Sequence, residues 1–196
     1  MPGPADRLKL AERVAATLGA ARARFALIGA AAMAVHGVAR STQDVDLLTL
    51  SDVSLDGAAW EPLAEGGVDV SVTRGDADDP LAGVVRFRQE GQDQVDRIVG
   101  RYRWQQRLLE RAEPAVVGGA ITLPTAQPRD LVLLKLFAGG PHDLWDIEQL
   151  LVGADSETLV SAVSDDVSQL PARCRRQWDR LLRERSDDAG GDAGAP

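Results

Sequence analysis

The segment from residue 24 to residue 50 constrains the fold most strongly. It begins with an apolar run, "RFALIG", which ends at Gly29 and is typical of a buried strand. The alanine-rich run "AAAMAVHG" favours helix and stops at Gly37. The next run, "DVDLLTL" at 44–50, is again typical of a strand. The segment therefore predicts a strand, a glycine turn, a short helix and a second strand.

Further strand patterns follow in the first two thirds of the chain, and helical patterns dominate after them. The run "VDVSVT" alternates with period two, and "VVRFRQ" and "QVDRIV" flank Gly91 as the strands of a hairpin would. The later runs "QPRDLVLLKLFAGG", "DLWDIEQLLV" and "PARCRRQWDRLLRER" have helical spacing. We predict an α+β fold in which a small mixed sheet is flanked by helices and followed by a helical C-terminal part.

The bulk composition is that of a globular protein with one main core. The chain has 196 residues, of which 44% are hydrophobic and 27% charged. No apolar run approaches the length of a membrane helix, and charges near the N-terminus fall where a signal peptide needs an apolar segment, so we expect a cytoplasmic protein without membrane contact. We expect a core at 1–152, a helical extension packed on it at 153–185, and a disordered low-complexity tail at 186–196.

The charge is unevenly distributed along the chain. A net charge of -8 argues against a protein that coats nucleic acid nonspecifically, because such binding needs a broad positive surface. Five arginines nevertheless lie between Arg97 and Arg111, with Tyr102 and Trp104 among them. This arginine cluster suits phosphates and bases, and it also suits a solvated helix face whose Arg stems cover apolar surface.

Two aspartates open the second predicted strand. Side chains at positions i and i+2 of a strand share a face, so Asp44 and Asp46 project together while Val45 and Leu47 face the core. Two neighbouring carboxylates repel each other unless a cation lies between them. Oxygen ligands without Cys or His select Mg²⁺ or Mn²⁺. The "DAD" run at 76–78 has the same spacing but the surroundings of an exposed loop.

The residues before this pair suit a phosphate. Gly29 ends a strand and begins a helix, so backbone N–H groups there can face an anion. Arg40, Ser41 and Thr42 lie between Gly29 and the aspartates and add a guanidinium and two hydroxyls. A phosphate cradle beside a carboxylate metal seat is what phosphoryl or nucleotidyl transfer requires.

Lys135 is the one polar residue from Leu131 to Ala138, in a helix that is apolar on nearly every side. A buried ammonium is costly unless it is paired. Asp143 and Asp146 lie three residues apart on the next predicted helix, and either can reach Lys135 across the intervening turn. Lys135 is then either a functional cation that an aspartate holds in place or half of a structural salt bridge between two helices. A third alternative is a lysine at the edge of the core whose ammonium extends to water.

The runs "LIGAAAMAVHGVARSTQDVDLL", "VDRIVGRYRWQQRLLERA" and "RDLVLLKLFAGGPHDLWDIEQLL" together resemble the minimal nucleotidyltransferases of the polymerase-beta-like superfamily. Within it, the resemblance is closest to the bacterial group that includes abortive-infection and toxin–antitoxin nucleotidyltransferases. It covers residues 24–152 and implies a nucleotidyltransferase core. It implies transfer of a nucleotide from an NTP, with two Mg²⁺ (or Mn²⁺) ions, to a hydroxyl acceptor, with RNA, the tRNA 3′ end in particular, as acceptor. A cognate antitoxin protein is then a possible partner.

The resemblance also implies roles for single residues. The glycine motif falls on Gly29 and Ala30, and the metal pair on Asp44 and Asp46. Ser41 or Thr42 supplies the hydroxyl near the triphosphate, and Arg40, Ser41 and Thr42 together are the expected nucleotide-binding segment before the aspartates.

A third carboxylate on a later strand completes the metal shell or acts as general base in the family. Asp96, at the start of "VDRIVG", is the favoured match, and Asp69 in "VDVSV" is its rival. Lys135 is matched to a triphosphate contact, with Asp146 holding it.

One departure from the family pattern leaves two alternative functions open. Family members usually carry Gly or Ser where this chain has Ala30, which is compatible with a catalytically degenerate binding or regulatory module. The other alternative is transfer to a small molecule, as in antibiotic-modifying nucleotidyltransferases, since an acidic site would attract cationic acceptors.

Overall fold

A computed structural model describes residues 3–38, 44–52, 55–152 and 155–191. The chain divides into two compact units, Met1–Gln127 and Pro128–Pro196.

The first unit is built on a seven-stranded mixed sheet. Its strands are β1 (Phe25–Ile28), β2 (Asp44–Thr49), β3 (Asp69–Arg74), β4 (Gly83–Arg88), β5 (Gln94–Val99), β6 (Glu113–Val117) and β7 (Ile121–Thr125). Their order across the sheet is β3-β4-β5-β2-β1-β7-β6. β2 runs parallel to β5 and β1 parallel to β7, while the other neighbours are antiparallel. The antiparallel pair β4–β5 is the predicted hairpin around Gly91.

Short helices flank the strands of this unit. They are α1 (Pro4–Arg7), α2 (Lys9–Ala20), α3 (Gly29–Val35), a 3₁₀ turn (Gly57–Trp60), α4 (Glu61–Glu65) and α5 (Arg103–Arg111). In α2 the buried residues Leu10, Val14 and Leu18 recur every four residues and form one apolar stripe. α2 contacts β5. At the hairpin turn, the Leu10 N–H donates to Gln92 Oε1 at 3.1 Å.

The two faces of the β4–β5–β2 part of the sheet differ in polarity. Phe87 and Val95 are fully buried on one face, and the Trp60 ring packs edge-on against Phe87 with its centroid 4.7 Å away. On the other face, Arg86 and Asp96 remain partly accessible to water, whereas Leu48 of β2 is buried. One face therefore belongs to the core, and the other carries the polar side chains.

The second unit is helical. It contains α6 (Pro128–Ala138), α7 (Asp143–Leu150), α8 (Ser156–Asp166), a 3₁₀ turn (Val167–Gln169) and α9 (Ala172–Gly191). α6 contacts each of the other three helices. The Arg173 guanidinium donates to the Phe137 carbonyl at 2.6 Å and so satisfies one of the open carbonyls at the end of α6.

The predicted α+β class, with a mixed sheet and a helical C-terminal part, is confirmed. The segment 57–65, for which no element was expected, forms the 3₁₀ turn and α4. The predicted division into 1–152, 153–185 and 186–196 stays a prediction; α9 extends to Gly191, and 192–196 lie outside the described residues. In the described ranges, no helix combines the length and the apolar character that a bilayer crossing requires.

Candidate active site

Asp44 and Asp46 project from the same face of β2. Asp44 is exposed and Asp46 is partly buried, while Val45 and Leu47 between and beyond them are buried at 3% and 0% exposure. The alternation expected from strand geometry therefore holds at this position. It places two carboxylates on the polar face of the sheet.

The backbone at Gly29 lies directly against the Asp46 carboxylate. Gly29 has φ +67°, a left-handed conformation that side chains disfavour. A Cβ atom built there would overlap Asp46 Oδ2 and lie 3.1 Å from Asp46 Cγ. Ile28, the preceding residue, is opposite Asp46 in the β1–β2 register. Glycine is therefore required at position 29. Ala30, the next residue, lies within α3, where an alanine side chain fits the helical backbone.

Of the two candidates for the third carboxylate, Asp96 lies nearer to the pair. Asp96 is directly beside Asp46 in the parallel β2–β5 register. Asp69 lies on β3, which β4 and β5 separate from β2. Three strand spacings amount to about 14 Å, against about 5 Å for neighbouring strands. The register favours Asp96, and its role stays a prediction.

Arg86 on β4 holds the Asp96 carboxylate through a forked ion pair. Arg86 Nε donates to Asp96 Oδ1 at 2.9 Å and to Oδ2 at 3.2 Å, and Nη2 donates to Oδ2 at 2.7 Å. The Gln94 amide adds a bond from Nε2 to Asp96 Oδ1 at 3.1 Å. Arg86 was not among the site residues predicted from the sequence. The signal was available, because positions 86 and 96 are equidistant from Gly91 at the hairpin turn.

The guanidinium of Arg86 also lies in the field of the aspartate pair. Its hydrogen bonds and charge interaction with Asp96 raise the pKa of Arg86, and the charges of Asp44 and Asp46 add smaller increases. Among the described residues, no three His, Cys, Asp or Glu side chains form a group ready to hold a metal ion. Asp44 and Asp46 supply oxygen ligands of the kind that Mg²⁺ or Mn²⁺ prefers, while Asp96 is already paired with a cation.

Three of the expected nucleotide-binding residues, Arg40, Ser41 and Thr42, lie outside the described residues. Their predicted contacts with a triphosphate stay predictions.

An open cavity of about 590 Å³ adjoins Asp44 on the polar side of the sheet. Three of its lining residues, Asp44, Asp69 and Glu90, are acidic, and one, Arg88, is basic. The remaining lining residues are Gly67, Gln89, Gln92 and Gln94. A polar site with an excess of negative charge suits a ligand that carries amines and hydroxyls.

The arginine cluster of residues 97–111 is divided between β5 and α5, with Arg101 between them, where its Nη2 donates to the Gly75 carbonyl at 3.1 Å. Arg97 is not a surface residue: it is fully buried on the apolar face of β5. Its Nη2 donates to the Ser51 carbonyl at 2.6 Å, and its Cζ lies 5.5 Å from the Trp60 ring centroid. Burial lowers the pKa of Arg97 to about 10, so the guanidinium is still charged at neutral pH.

The other part of the cluster lies on α5. Arg103, Arg107 and Arg111 follow one another at intervals of four residues and share a side of the helix, on which Arg103 and Arg107 are exposed. Three residues of β5, about 10 Å of strand, follow Asp96 before the chain leaves the sheet toward α5 and these arginines.

In the second unit, Lys135 pairs with both predicted aspartates. Its Nζ lies 2.6 Å from Asp146 Oδ2 and 3.0 Å from Asp143 Oδ1. Asp146 is fully buried, and the Lys135 side chain is 17% exposed. Burial lowers the pKa of Lys135, but the hydrogen bonds and charges of Asp146 and Asp143 outweigh it, so the net shift is upward. The geometry fits a structural pair, and the predicted triphosphate contact stays a prediction.

Solved structures share this fold. A solution structure of the antibiotic-resistance factor ANT(2'')-Ia matches 92% of this chain and 97% of its own, with a TM-score of 0.51 and 12% identity. A crystal structure of ANT(2'')-Ia in complex with adenylyl-2''-tobramycin matches over 83% and 97%, with a TM-score of 0.52 and 12% identity. At this identity the likeness is one of fold, and it confirms the predicted nucleotidyltransferase-type α+β architecture.

A further match is weaker. Terminal uridylyl transferase 4 from Trypanosoma brucei with bound GTP has a TM-score of 0.31 at 17% identity, over 67% of this chain and 39% of that chain, which is too low to indicate a common fold. No protein-family model matches the sequence, and no curated protein matches it significantly. Membership of the toxin–antitoxin group stays a prediction.

Proposed function

We propose that the protein is a metal-dependent nucleotidyltransferase that moves a nucleotide from an NTP to a hydroxyl acceptor. One observation carries the proposal: Asp44 and Asp46 share a sheet face, Asp46 rests against the Gly29 backbone, and Asp96 lies beside Asp46 in register. This arrangement brings three carboxylates and a glycine turn to one side of the sheet. The shared fold of ANT(2'')-Ia supports the same reading.

The carboxylates of this site divide the work. Asp44 and Asp46 would hold Mg²⁺ or Mn²⁺, which when bound neutralises charge on the phosphates of the NTP. Asp96 would complete the ligand set or accept the proton of the acceptor hydroxyl.

The residues that precede β2 are proposed to bind the nucleotide. The backbone N–H groups at Gly29 and Ala30 are proposed to face the triphosphate, together with the segment 40–42. Lys135, held by Asp146, is proposed as a further triphosphate contact on the strength of the family resemblance.

Incubation of the full chain with each labelled NTP, Mg²⁺ or Mn²⁺, and a panel of acceptors tests the proposal. Asp46→Asn should reduce transfer by about a thousandfold, because the metal ion that would neutralise the phosphate charge loses an anionic ligand. Asp78→Asn, in the exposed "DAD" run of the same spacing, is the matched control and should leave the rate unchanged. Transfer to no acceptor with any NTP, or equal activity in Asp46→Asn, refutes the proposal.

The choice of third carboxylate is tested in the same assay. Asp96→Asn should lower kcat by at least a hundredfold, whereas Asp69→Asn should retain kcat, since β3 lies three strands from β2. The reverse result assigns the role to Asp69.

RNA is the acceptor that we propose first, with the tRNA 3′ end as its reacting hydroxyl. The three arginines of α5 suit the phosphates of an RNA strand whose 3′ end reaches the carboxylates. Replacing Arg103, Arg107 and Arg111 with Gln should raise the KM for tRNA about tenfold and leave the KM for NTP unchanged. An unchanged KM for tRNA contradicts this assignment. A cognate antitoxin protein is proposed as a partner on the strength of the family resemblance alone.

A small cationic acceptor is the second candidate, favoured by the acidic cavity beside Asp44. The ANT(2'')-Ia complex holds adenylyl-2''-tobramycin, so tobramycin is a suitable probe. If it is an acceptor, Asp69→Asn and Glu90→Gln should each raise its KM several-fold and leave that of NTP unchanged. Absence of labelled tobramycin removes this candidate.

A catalytically degenerate module is the remaining alternative, and Ala30 is the residue that motivates it. Calorimetric titration with ATP, CTP, GTP and UTP in Mg²⁺ separates it from the enzyme. Heat of binding with one NTP supports the enzyme. A silent titration with all four, restored by Ala30→Gly, supports the degenerate module.

A further inference from the structure

The Asp96 carboxylate is almost saturated by protein donors. An ionised carboxylate offers about four acceptor positions on its two oxygens. Arg86 contributes a forked pair and Gln94 a third donor, so both oxygens of Asp96 are engaged. The fork is specific to guanidinium, since its planar nitrogens match the two carboxylate oxygens. A divalent ion that used Asp96 would have to replace this cation.

Arg86 is placed so that it can be replaced. Its side chain is 41% exposed, whereas that of Asp96 is 14% exposed, so a released guanidinium returns to water rather than to the core. Within the described residues, the hydrogen bonds of the Arg86 side chain all go to the Asp96 carboxylate, and none goes to a backbone carbonyl that would anchor it. Because the guanidinium side of the pair is in contact with water, releasing Arg86 costs less than breaking an ion pair that is buried on both sides.

We propose that Arg86 is a displaceable counterion of Asp96, which blocks the third carboxylate until a divalent ion enters beside Asp46. The inference rests on the proposed function, because it concerns the same site. Arg86 is thereby a positioning residue: it acts on the metal through Asp96. It keeps one carboxylate neutralised while the site is empty, and it sets how tightly the site binds metal in the absence of nucleotide.

A neighbouring arginine provides a matched control. Arg88 lies two residues along β4 on the same face and carries the same charge, but its Nε donates to Gln94 Oε1 at 2.8 Å rather than to Asp96. A general electrostatic effect of losing one positive charge should be similar for both arginines. An effect that acts through the Asp96 fork should appear for Arg86 alone.

The test is Mn²⁺ binding to the full chain without nucleotide, followed by the electron paramagnetic resonance signal of free Mn²⁺. Arg86→Met should bind Mn²⁺ about tenfold more tightly than the native chain. Arg86→Lys, which keeps the charge but lacks the fork, should fall between them, and Arg88→Met should change the affinity less than twofold. In an Asp96→Asn background, Arg86→Met should have no effect.

Two results overturn the proposal. One is an Arg86→Met chain that binds Mn²⁺ no more tightly than the native chain or than Arg88→Met. The other is a gain that persists in the Asp96→Asn background. Failure of the proposed function is distinguishable, because it appears as the absence of nucleotide transfer whatever the Mn²⁺ affinities of these variants.

Discussion

Arg86 on the sheet and Lys135 in the helical unit are both paired with aspartates, yet they differ in their access to water. Arg86 is 41% exposed and holds one carboxylate, whereas Lys135 is 17% exposed and lies between two, one of them fully buried. A buried pair cannot lose one partner without leaving an uncompensated charge, while an exposed pair can. Burial, more than pairing itself, therefore distinguishes an ion pair that stays intact from one in which the cation can be exchanged for another.

The largest effect is expected for Lys135→Met. The substitution leaves the buried Asp146 carboxylate without its cation and should lower the free energy of unfolding by about 3 kcal/mol. Urea unfolding followed by circular dichroism measures it. Adding Asp146→Leu should restore much of the loss, since both charges are then gone. A loss below about 1 kcal/mol for Lys135→Met would place this pair in the exchangeable class.

The pH dependence of the same pair sharpens the contrast. Burial lowers the pKa of Lys135, but Asp146 and Asp143 raise it further, so the folded value lies above the unfolded 10.5. The contribution of the ammonium is therefore complete below pH 10.5 and declines as the pH rises through the folded pKa. The difference in unfolding free energy between the native chain and Lys135→Met should be constant from pH 7 to pH 10 and shrink above it. A difference that already shrinks below pH 9 contradicts the upward shift.

Arg97 tests burial without a carboxylate. Its Nε and Nη1 have no hydrogen-bond partner in the part of the chain that the structure describes, and burial lowers its pKa to about 10. Replacement by Met removes a desolvated charge and should change the free energy of unfolding by no more than about 1 kcal/mol, in either direction. Thermal and urea unfolding measure this. A loss above about 2 kcal/mol would show that the bond to Ser51 and the contact with Trp60 dominate.

The smallest effect is expected for Arg86→Met. Arg86 is 41% exposed, and without it the Asp96 carboxylate, 14% exposed, keeps its bond from Gln94 and its contact with water, so the arginine should contribute less than about 0.5 kcal/mol to the free energy of unfolding. The same urea experiment measures it, with Arg88→Met as control. A loss as large as that of Lys135→Met would remove the distinction between the two pairs.

Local patterns in the sequence predicted most of the fold. The alternation in "QVDRIV" and the glycine at position 91 predicted the β4–β5 hairpin, and helical spacing predicted α6, α7 and α9. The segment 57–65 escaped because its helices are only four and five residues long, too short for a periodic signal. Trp60, the buried residue of this segment, packs against Phe87, which is distant in the chain, so no local pattern predicts the contact.

The sequence predicted the placement of the carboxylates in the candidate site better than it predicted the placement of the arginines. The spacing of Asp44 and Asp46 predicted a shared face, because strand geometry is local. The position of Asp96 beside Asp46 depends on the order of strands, which no local pattern encodes. Arg97 was grouped with the arginines that follow it because the run 97–111 is rich in arginine, whereas its side of β5 faces the core.

The parallel pairing of β2 with β5 has a consequence for the biogenesis of the site. Asp46 and Asp96 are separated by fifty positions of chain, and β5 inserts between β2 and β4 in the sheet. A nascent polypeptide still lacking β5 can form the β1–β2 hairpin, but it cannot assemble the acidic triad. The three carboxylates thus come together only through the long-range pairing of β5 with β2, and their assembly reports that β5 has entered the sheet.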